Sequence, residues 1–271
     1  MWSAQSYLEH FFIGQTNIIN EISPLVDSLV DDINLNFLFR APSGYGKTYL
    51  ASVVVNFLRF KQKNGTYQYH LGNITAYNPN KRIQIIDEVH LLKEPESIYP
   101  LIDSSRHTFI LCSNEYDELL EPLINRCFIF NFDYYSNSEL EILTKKFFIK
   151  KEKPLPESFI IMIVNRSRLN PREVLLLCKR LYLVFRLEGV PENEIELSEI
   201  LDKNIGTSEG GFTNLDLRYL EFLNIHSRAS LNTLSSVLRI PKTTIMSEIE
   251  PFLIRKGLIT ISPRGRMLLW L

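Results

Sequence analysis

Residues 40–48 read Arg40-Ala41-Pro42-Ser43-Gly44-Tyr45-Gly46-Lys47-Thr48. The apolar run 37–39 before them predicts a buried strand, and the residues from Lys47 onward predict a helix. Gly44 and Gly46 let successive backbone N–H groups turn toward a phosphate, and the helix N-terminus adds the positive end of its dipole. Lys47 can then reach the β- and γ-phosphates, and the Thr48 hydroxyl can bind Mg²⁺. The stretch therefore predicts a nucleoside triphosphate site, although Ala41 stands where this motif normally begins with glycine.

A second apolar run, residues 82–86, leads directly into two carboxylates, Asp87 and Glu88. It predicts a buried parallel strand whose acidic end lies at the ligand-binding edge of the sheet. Asp87 then lies near the Mg²⁺ held by Thr48, and Glu88 can polarise a water for attack on the γ-phosphate. The pattern is weak alone and becomes strong beside the phosphate loop.

Two further polar residues stand where a nucleotide site would need them. Asn114 ends the predicted buried strand 109–113 and can orient the attacking water; the competing interpretation is a cap for a helix over 115–120. Asn170 and Pro171 predict a helix start, and Arg172 falls in its first turn. A cation there opposes the helix dipole by about 0.3–1 kcal/mol, which favours a bound phosphate as the partner of Arg172. A surface salt bridge is the alternative.

The remaining pattern divides the chain. Residues 16–30 predict a helix, 66–71 and 128–132 predict further strands, and 138–149, 156–166, 171–187 and 197–203 predict helices. After a Gly/Ser/Thr linker at 206–211, three helices (215–226, 231–238 and 241–256, with a kink at Pro251) and a hairpin (258–270) predict a winged helix. Phosphate contacts are expected from Lys242 and Thr243 at the third helix and from Arg264 and Arg266 at the wing tip. DNA is favoured over a protein as the partner of this domain.

Composition excludes several classes of protein. The chain is 45% hydrophobic and 23% charged with a net charge of −1, which is typical of a globular fold rather than of disorder. Residues 211–271 hold eight Lys and Arg against four Asp and Glu, so the tail carries +4 and the rest −5. The three cysteines, Cys112, Cys127 and Cys178, have no metal-ligand spacing and are expected to be reduced core residues. Without a secretion signal or an apolar stretch of about 18 residues, we expect a cytoplasmic protein with no membrane partner.

These motifs together resemble the AAA+ ATPases, and most closely the RuvB-type Holliday-junction branch-migration motors. The resemblance rests on Phe12-Ile13-Gly14-Gln15, the phosphate loop, residues 85–90, residues 165–172, and, most specifically, residues 250–257 and 262–266 of the tail. It implies an α/β fold with a parallel-sheet P-loop core over 1–135, a small helical lid over 136–205 and a winged helix over 206–271. It also implies an ATP- and Mg²⁺-dependent enzyme that acts on branched or double-stranded DNA as a homo-oligomer, a ring of six in this family.

The resemblance assigns roles by position. The implied catalytic residues are Glu88, Asn114, Lys47 and Arg126. Arg126 is the implied arginine finger, which acts on ATP held by the neighbouring subunit. Thr48 and Asp87 are the implied metal ligands. The implied ATP-binding residues are Phe12, Ile13, Pro42, Ser43, Gly44, Tyr45, Gly46, Lys47, Thr48, Tyr49, Tyr135, Pro171 and Arg172, with Phe12, Ile13 and Tyr135 at the adenine. From the residues alone, the aromatic–apolar pair before the turn at Gly14 is equally compatible with a base contact and with a plain hydrophobic anchor.

The chain departs from the family at several points. Ala4-Gln5-Ser6 replaces the Leu-Arg-Pro of the motors, and Asn114 stands where they usually have threonine. The interval between Asp87 and Asn114 is too short for the long β-hairpin that docks the partner RuvA. Residues 121–127 look more like the Ser-Arg-Cys box of sliding-clamp loaders. A DNA-remodelling motor, an ATP-switched clamp or helicase loader, and an adaptor whose winged helix binds protein therefore stay open as functions.

Overall fold

The computed structural model of the chain describes residues 2–61, 63, 66–72, 77–114, 121–204 and 206–269. These residues form two compact units. The first contains the residues up to Leu143 together with Asn170–Arg172, and the second contains Thr144–Leu169 and the residues from Glu173 onward. The three-domain division expected from the sequence stays a prediction.

A parallel sheet of five strands organises the first unit. Its strands lie in the order β2-β3-β4-β1-β5. In chain order they are β1 (Phe37–Arg40), β2 (Tyr67–Leu71), β3 (Ile83–Asp87), β4 (Thr108–Ser113) and β5 (Phe128–Asn131). β4 is buried along its whole length, as a central strand covered on both faces must be. Because all five strands are parallel, the residues that follow β1, β3 and β4 meet at one edge of the sheet.

Helices and 3₁₀ turns complete the first unit. They are α1 (Ala4–Phe11), α2 (Thr16–Val30), α3 (Lys47–Phe60), the 3₁₀ turns Val89–Leu91 and Pro95–Ile98, α4 (Tyr99–Asp103), α5 (Glu121–Ile124) and the start of α6 (Asn137–Lys150). α1 was not expected from the sequence; the Ser3 side chain caps it by accepting from the Ser6 N–H. The helix considered for 115–120 lies outside the described residues.

Helices dominate the second unit. After α6 come α7 (Glu157–Asn165), α8 (Pro171–Leu187) and α9 (Glu194–Asn204), which begins three residues before the predicted start. A 3₁₀ turn (Glu209–Gly211) precedes α10 (Asn214–His226) and α11 (Leu231–Leu238). The hairpin is β6 (Ile259–Ser262) and β7 (Gly265–Leu268), paired antiparallel. A single core joins α10, α11, residues 245–253 and β6, and includes Tyr219, Leu234 and Phe252, as a winged helix requires.

The third helix of the winged helix consists of three consecutive segments that differ in helix type. α12 (Lys242–Thr244) leads into a π-helical segment (Ile245–Ile249) and then α13 (Glu250–Arg255). Pro251 lies in the first turn of α13, where its missing N–H costs nothing, so the irregular winding falls on the turn before it. Where the sequence predicted a kink at Pro251, the structure has a π-helical turn directly before the helix that contains the proline.

A third backbone segment, at Ala229, pairs with the base of the hairpin formed by β6 and β7. Ala229 forms an antiparallel bridge with Arg266, in which each N–H donates to the other residue's carbonyl at 3.1 and 2.9 Å. Gly265 has φ +125°, and a Cβ at that position would lie 2.7 Å from the Ala229 carbonyl oxygen. Only glycine lets the two segments approach this closely. Trp270, the last residue of the expected hairpin, lies outside the described residues.

Within the described ranges, no helix has the length and apolar character needed to span a membrane. Cys112 and Cys178 are buried, Cys127 is half-buried, and all three are free thiols, as expected. Burial raises the pKa of the Cys127 thiol to about 12.

Candidate functional site

Lys47 opens α3 and turns back over the loop that precedes it. Its Nζ donates to the carbonyl oxygens of Ala41 (2.7 Å) and Pro42 (3.2 Å), and the residue is 6% exposed. Burial lowers the pKa of Lys47, while Asp87 and Glu88 nearby favour its charged form. Ala41 donates its own N–H to the Ser113 carbonyl, so the loop entrance continues the hydrogen bonding of the sheet. The lysine charge is thereby held inside the loop.

Asp87 ends β3 next to the start of α3. Its Oδ2 accepts from the Thr48 hydroxyl at 2.7 Å and from the Tyr69 hydroxyl at 2.8 Å, while Oδ1 accepts from the Glu88 N–H at 3.1 Å. The hydrogen bond to Asp87 contributes, after burial, to a raised pKa of Tyr69, which stays a neutral donor. Thr48 and Asp87, the two expected metal ligands, are therefore in direct contact. A hydroxyl and a carboxylate are ligand types that Mg²⁺ prefers, so this pair fits the ion.

Among the residues that the structure describes, two buried acceptor atoms at this sheet edge lack a hydrogen-bond partner. They are Glu88 Oε2 and Asn114 Oδ1. Glu88 follows β3 with φ +51°, and its Oε2 lies 3.5 Å from His90 Nε2, beyond good hydrogen-bond geometry. Asn114 follows β4. Because native proteins satisfy most buried polar atoms, unsatisfied ones at a sheet edge fit a bound ligand or water.

Arg172 and Asn170 contact the phosphate loop. Arg172 Nη1 donates to Ser43 Oγ at 2.8 Å, and Asn170 Nδ2 donates to the Ser43 carbonyl oxygen at 3.0 Å. Arg172 also lowers the pKa of Lys47, although burial is the larger cause. Pro171 between them is buried. Two cations, Lys47 and Arg172, therefore act on one loop, as an anion site requires.

The aromatic residues expected at the adenine pack beneath the loop. Phe12 (3% exposed) stacks on Tyr49 with ring centroids 5.9 Å apart, and a Cβ on Gly46 would lie 3.1 Å from it. Tyr135 (6% exposed) lies 5.8 Å from the Tyr45 ring and donates to the Tyr45 carbonyl oxygen at 3.4 Å. Both are buried, which favours the hydrophobic-anchor interpretation of Phe12. Ile13 is half-buried and Tyr49 is exposed.

Arg126 lies after α5 and is not among the residues gathered at the loop. Its Nε and Nη2 donate to the Asp103 carboxylate at 2.8 and 3.1 Å, its Nη1 donates to the Pro122 carbonyl, and its guanidinium lies 4.8 Å from the Tyr99 ring centroid. The bond to Asp103 raises the pKa of Arg126. The side chain keeps 32% of its surface exposed, so it is presented on the outside of its unit.

Of the four residues of the winged helix that were expected to contact DNA, three are exposed and one is paired with a carboxylate. Lys242, Thr243 and Arg264 are exposed. Arg266 is not at the wing tip: it lies on β7, and its Nε and Nη2 donate to Glu250 Oε1 and Oε2 at 2.7 and 3.3 Å. Glu250 also accepts from the buried Tyr219 hydroxyl. The expectation of a phosphate contact from Arg266 is corrected, because this guanidinium neutralises a carboxylate within the domain.

Comparisons with known proteins agree with this geometry. The RuvB C-terminal winged helix domain family matches residues 209–269. RuvB subunits of the Holliday junction branch migration complex from Mycoplasma pneumoniae and Campylobacter lari are 26% and 29% identical, over 95% and 94% of this chain and 92% and 86% of theirs. The Thermotoga maritima RuvB branch migration motor superposes with a TM-score of 0.78 at 24% identity, over 95% of this chain and 93% of that one.

The chain resembles RuvB over nearly its whole length. The similarity to AAA+ ATPases and the expected fold class are thereby confirmed. Residues 88–107, which join β3 to β4, contain two 3₁₀ turns and α4 but no strand, so this segment holds no docking hairpin.

Three residues make contacts at this candidate site that the sequence did not predict. Tyr69 reaches Asp87 from the edge strand β2. Gln15 exchanges two hydrogen bonds with the backbone of Asp133, at 2.7 and 2.8 Å, and so fixes the segment that carries Tyr135. Asn170 was expected only as a cap. The positive φ of Gln15 (57°) has no sequence signal of its own, and the contacts of all three depend on tertiary structure.

Proposed function

We propose that this protein is a ring-forming, ATP-hydrolysing, RuvB-like motor that moves or remodels branched DNA. The observation that carries the proposal is the convergence at one sheet edge of the buried Lys47, the Thr48–Asp87 pair, and the acceptor atoms of Glu88 and Asn114 that have no hydrogen bond within the described residues. The names of the similar proteins, subunits of the Holliday junction branch migration complex, supply the substrate class.

The proposed chemistry assigns one task to each group. Lys47 and the loop N–H groups bind the β- and γ-phosphates, and Arg172 adds a second cation. Thr48 and Asp87 hold Mg²⁺, which neutralises charge on the phosphate oxygens when bound. Asn114 orients the attacking water, and Glu88 accepts its proton. General-base assistance of this kind contributes about 10²–10⁴-fold to a rate.

Arg126 is proposed to complete the site of a neighbouring subunit. Its exposed guanidinium is held by Asp103 and the Tyr99 ring rather than by residues of the phosphate loop. Such a finger stabilises the charge that develops on the transferred phosphoryl group, by about 10³–10⁵-fold in GTPases. ATP then bridges two chains, and each hydrolysis event loosens one interface, which converts chemistry into movement of a ring.

A mixing experiment tests this arrangement. Lys47→Ala and Arg126→Ala should each hydrolyse ATP at least a hundredfold more slowly, and Arg126→Ala should still bind ATP. When the two inactive variants are mixed, interfaces that pair an intact loop with an intact Arg126 form, so part of the activity should return. Full hydrolysis by Arg126→Ala alone, or no recovery on mixing in rings that electron microscopy shows to be hybrid, contradicts the trans site.

DNA binding is assigned to the winged helix, through the exposed Lys242, Thr243 and Arg264. The direct test of the motor is ATP-dependent branch migration of a synthetic four-way junction, followed by fluorescence separation of labelled arms. Lys47→Ala is the matched inactive control. Junction binding that falls steeply with salt is expected from phosphate contacts.

A second candidate is an ATP-switched loader that places a clamp or helicase on DNA. The strand-free segment 88–107 favours it, because the docking hairpin of the branch-migration motors is missing there. DNA-stimulated ATP hydrolysis without movement of the junction would select the loader. ATP hydrolysis without the salt-dependent DNA affinity expected of phosphate contacts would instead select a protein-binding adaptor.

A further inference from the structure

Asn170 makes two hydrogen bonds in opposite directions. Its Oδ1 accepts the Arg172 backbone N–H at 2.9 Å, and its Nδ2 donates to the Ser43 carbonyl oxygen at 3.0 Å. The first bond caps the start of α8, as asparagine commonly does. The second bond reaches the phosphate loop, and capping of α8 does not require it. One side chain therefore connects the helix start that carries Arg172 to the loop that carries Lys47.

The contact is close as well as polar. A Cβ added to Gly44 would lie 2.5 Å from Asn170 Oδ1 and 2.9 Å from Arg172 Cβ. Gly44 has φ +92°, so glycine serves both the turn of the loop and the approach of these two residues. Arg172 Nη1 then reaches Ser43 Oγ at 2.8 Å. Ser43 is thus held at its carbonyl by Asn170 and at its hydroxyl by Arg172.

We infer that Asn170 is a positioning residue of the proposed ATP site: it fixes Arg172 against the loop at Ser43, so that the guanidinium stays within reach of the terminal phosphate. The inference rests on the proposed function. Arginine has a long, flexible side chain, and holding its backbone and its neighbour on the loop reduces the entropy lost when it binds an anion. Asn170 itself contacts no phosphate in this assignment.

Substitutions separate the cap from the loop contact. Asn170→Ser keeps an oxygen that caps α8 but is too short to reach Ser43, so thermal stability should stay close to that of the wild type. The dissociation constant of a fluorescent ATP analogue with Mg²⁺ should rise about five- to tenfold, the usual effect of losing one hydrogen bond. The constant for the matching ADP analogue should rise less, because Arg172 acts on the terminal phosphate.

A double-mutant cycle decides the mechanism. In an Arg172→Ala background there is no guanidinium to position, so Asn170→Ser should change the ATP constant by less than about twofold. Ser230→Ala is the matched control: the Ser230 hydroxyl accepts the Thr233 N–H at the start of α11, and its loss should lower stability but leave nucleotide binding unchanged.

Three results overturn the inference: wild-type ATP affinity in Asn170→Ser, an equal loss for ATP and ADP, or the full effect persisting without Arg172. A wild-type chain that binds neither nucleotide would instead refute the proposed function, so the two failures are distinguishable.

Discussion

Glu88, which is half-buried, and Glu250, which is buried, are two glutamates with different surroundings. Glu250 (3% exposed) is fully occupied: its carboxylate accepts from Arg266 and from the Tyr219 hydroxyl. Glu88 has an Oε2 that accepts no hydrogen bond within the described residues. A buried carboxylate with all its partners inside the fold stabilises that fold, whereas a half-buried one with an oxygen that accepts no hydrogen bond has capacity for a ligand.

Arg266 and Arg172 differ in their surroundings as the two glutamates do. Arg266 is paired with a buried carboxylate, and its charge is neutralised there. Arg172 is exposed and donates to the neutral Ser43 hydroxyl, so its positive charge is retained. At these two residues, the guanidinium paired with a buried carboxylate is structural, whereas the one that donates to a neutral hydroxyl keeps its charge for an anion.

The largest effect is expected at Glu88. Glu88→Gln removes the proposed general base while keeping the shape of the side chain, so kcat for ATP should fall by about 10²–10⁴-fold. ATP affinity and the thermal unfolding temperature should stay unchanged, because no hydrogen bond to Oε2 is lost. Steady-state turnover, an equilibrium titration and a melting curve measure the three quantities. A stability loss with preserved turnover would assign Glu88 to the fold.

Arg266→Ala should have the opposite profile. It leaves Glu250 buried without its cation, and breaking a buried pair typically costs about 3–5 kcal/mol. The winged helix should therefore lose protection against backbone hydrogen exchange over residues 214–268, while ATP binding to the first unit persists. Arg264→Ala, two residues away and exposed, is the control and should keep full protection. Equal protection in both variants would mean that the ion pair contributes little.

The smallest effect is expected at the wing tip. Arg264→Ala should weaken DNA binding by several-fold and reduce the slope of log affinity against log salt by about one, as expected when one phosphate contact is lost. Arg264→Lys keeps the charge and should recover most of the affinity. Fluorescence anisotropy of a labelled junction at several salt concentrations reports both values. An unchanged slope would remove Arg264 from the DNA surface.

Local chemistry accounts for what the sequence could predict. The loop from Ala41 to Thr48 requires its glycines and its lysine at fixed spacing, and the run into Asp87 and Glu88 ends at the edge where parallel strands present ligands. The break before Pro251 follows from one missing N–H. Each of these signals lies within a few residues of the structure it specifies.

Long-range pairing accounts for what the sequence did not reveal. Asn170 and Ser43 are separated by 127 positions, and Gln15 and Asp133 by 118. Because Arg266 follows a turn, the sequence predicted that it lies at the wing tip. Instead, its backbone bridges to Ala229 and its side chain pairs with Glu250 within the domain. No pattern in a single chain states which distant residues will meet.

Gly265 marks a boundary between parts of the wing that differ in how freely they can change. At Gly265 and the residue after it, the backbone packs against Ala229, and any side chain at Gly265 would collide with the Ala229 carbonyl oxygen. The turn before it, at Pro263 and Arg264, is exposed and makes no such contact. Natural variants or designed insertions can therefore lengthen or recharge the wing ahead of Gly265 without disturbing the Arg266–Glu250 pair. DNA preference can diverge there at little cost in folding.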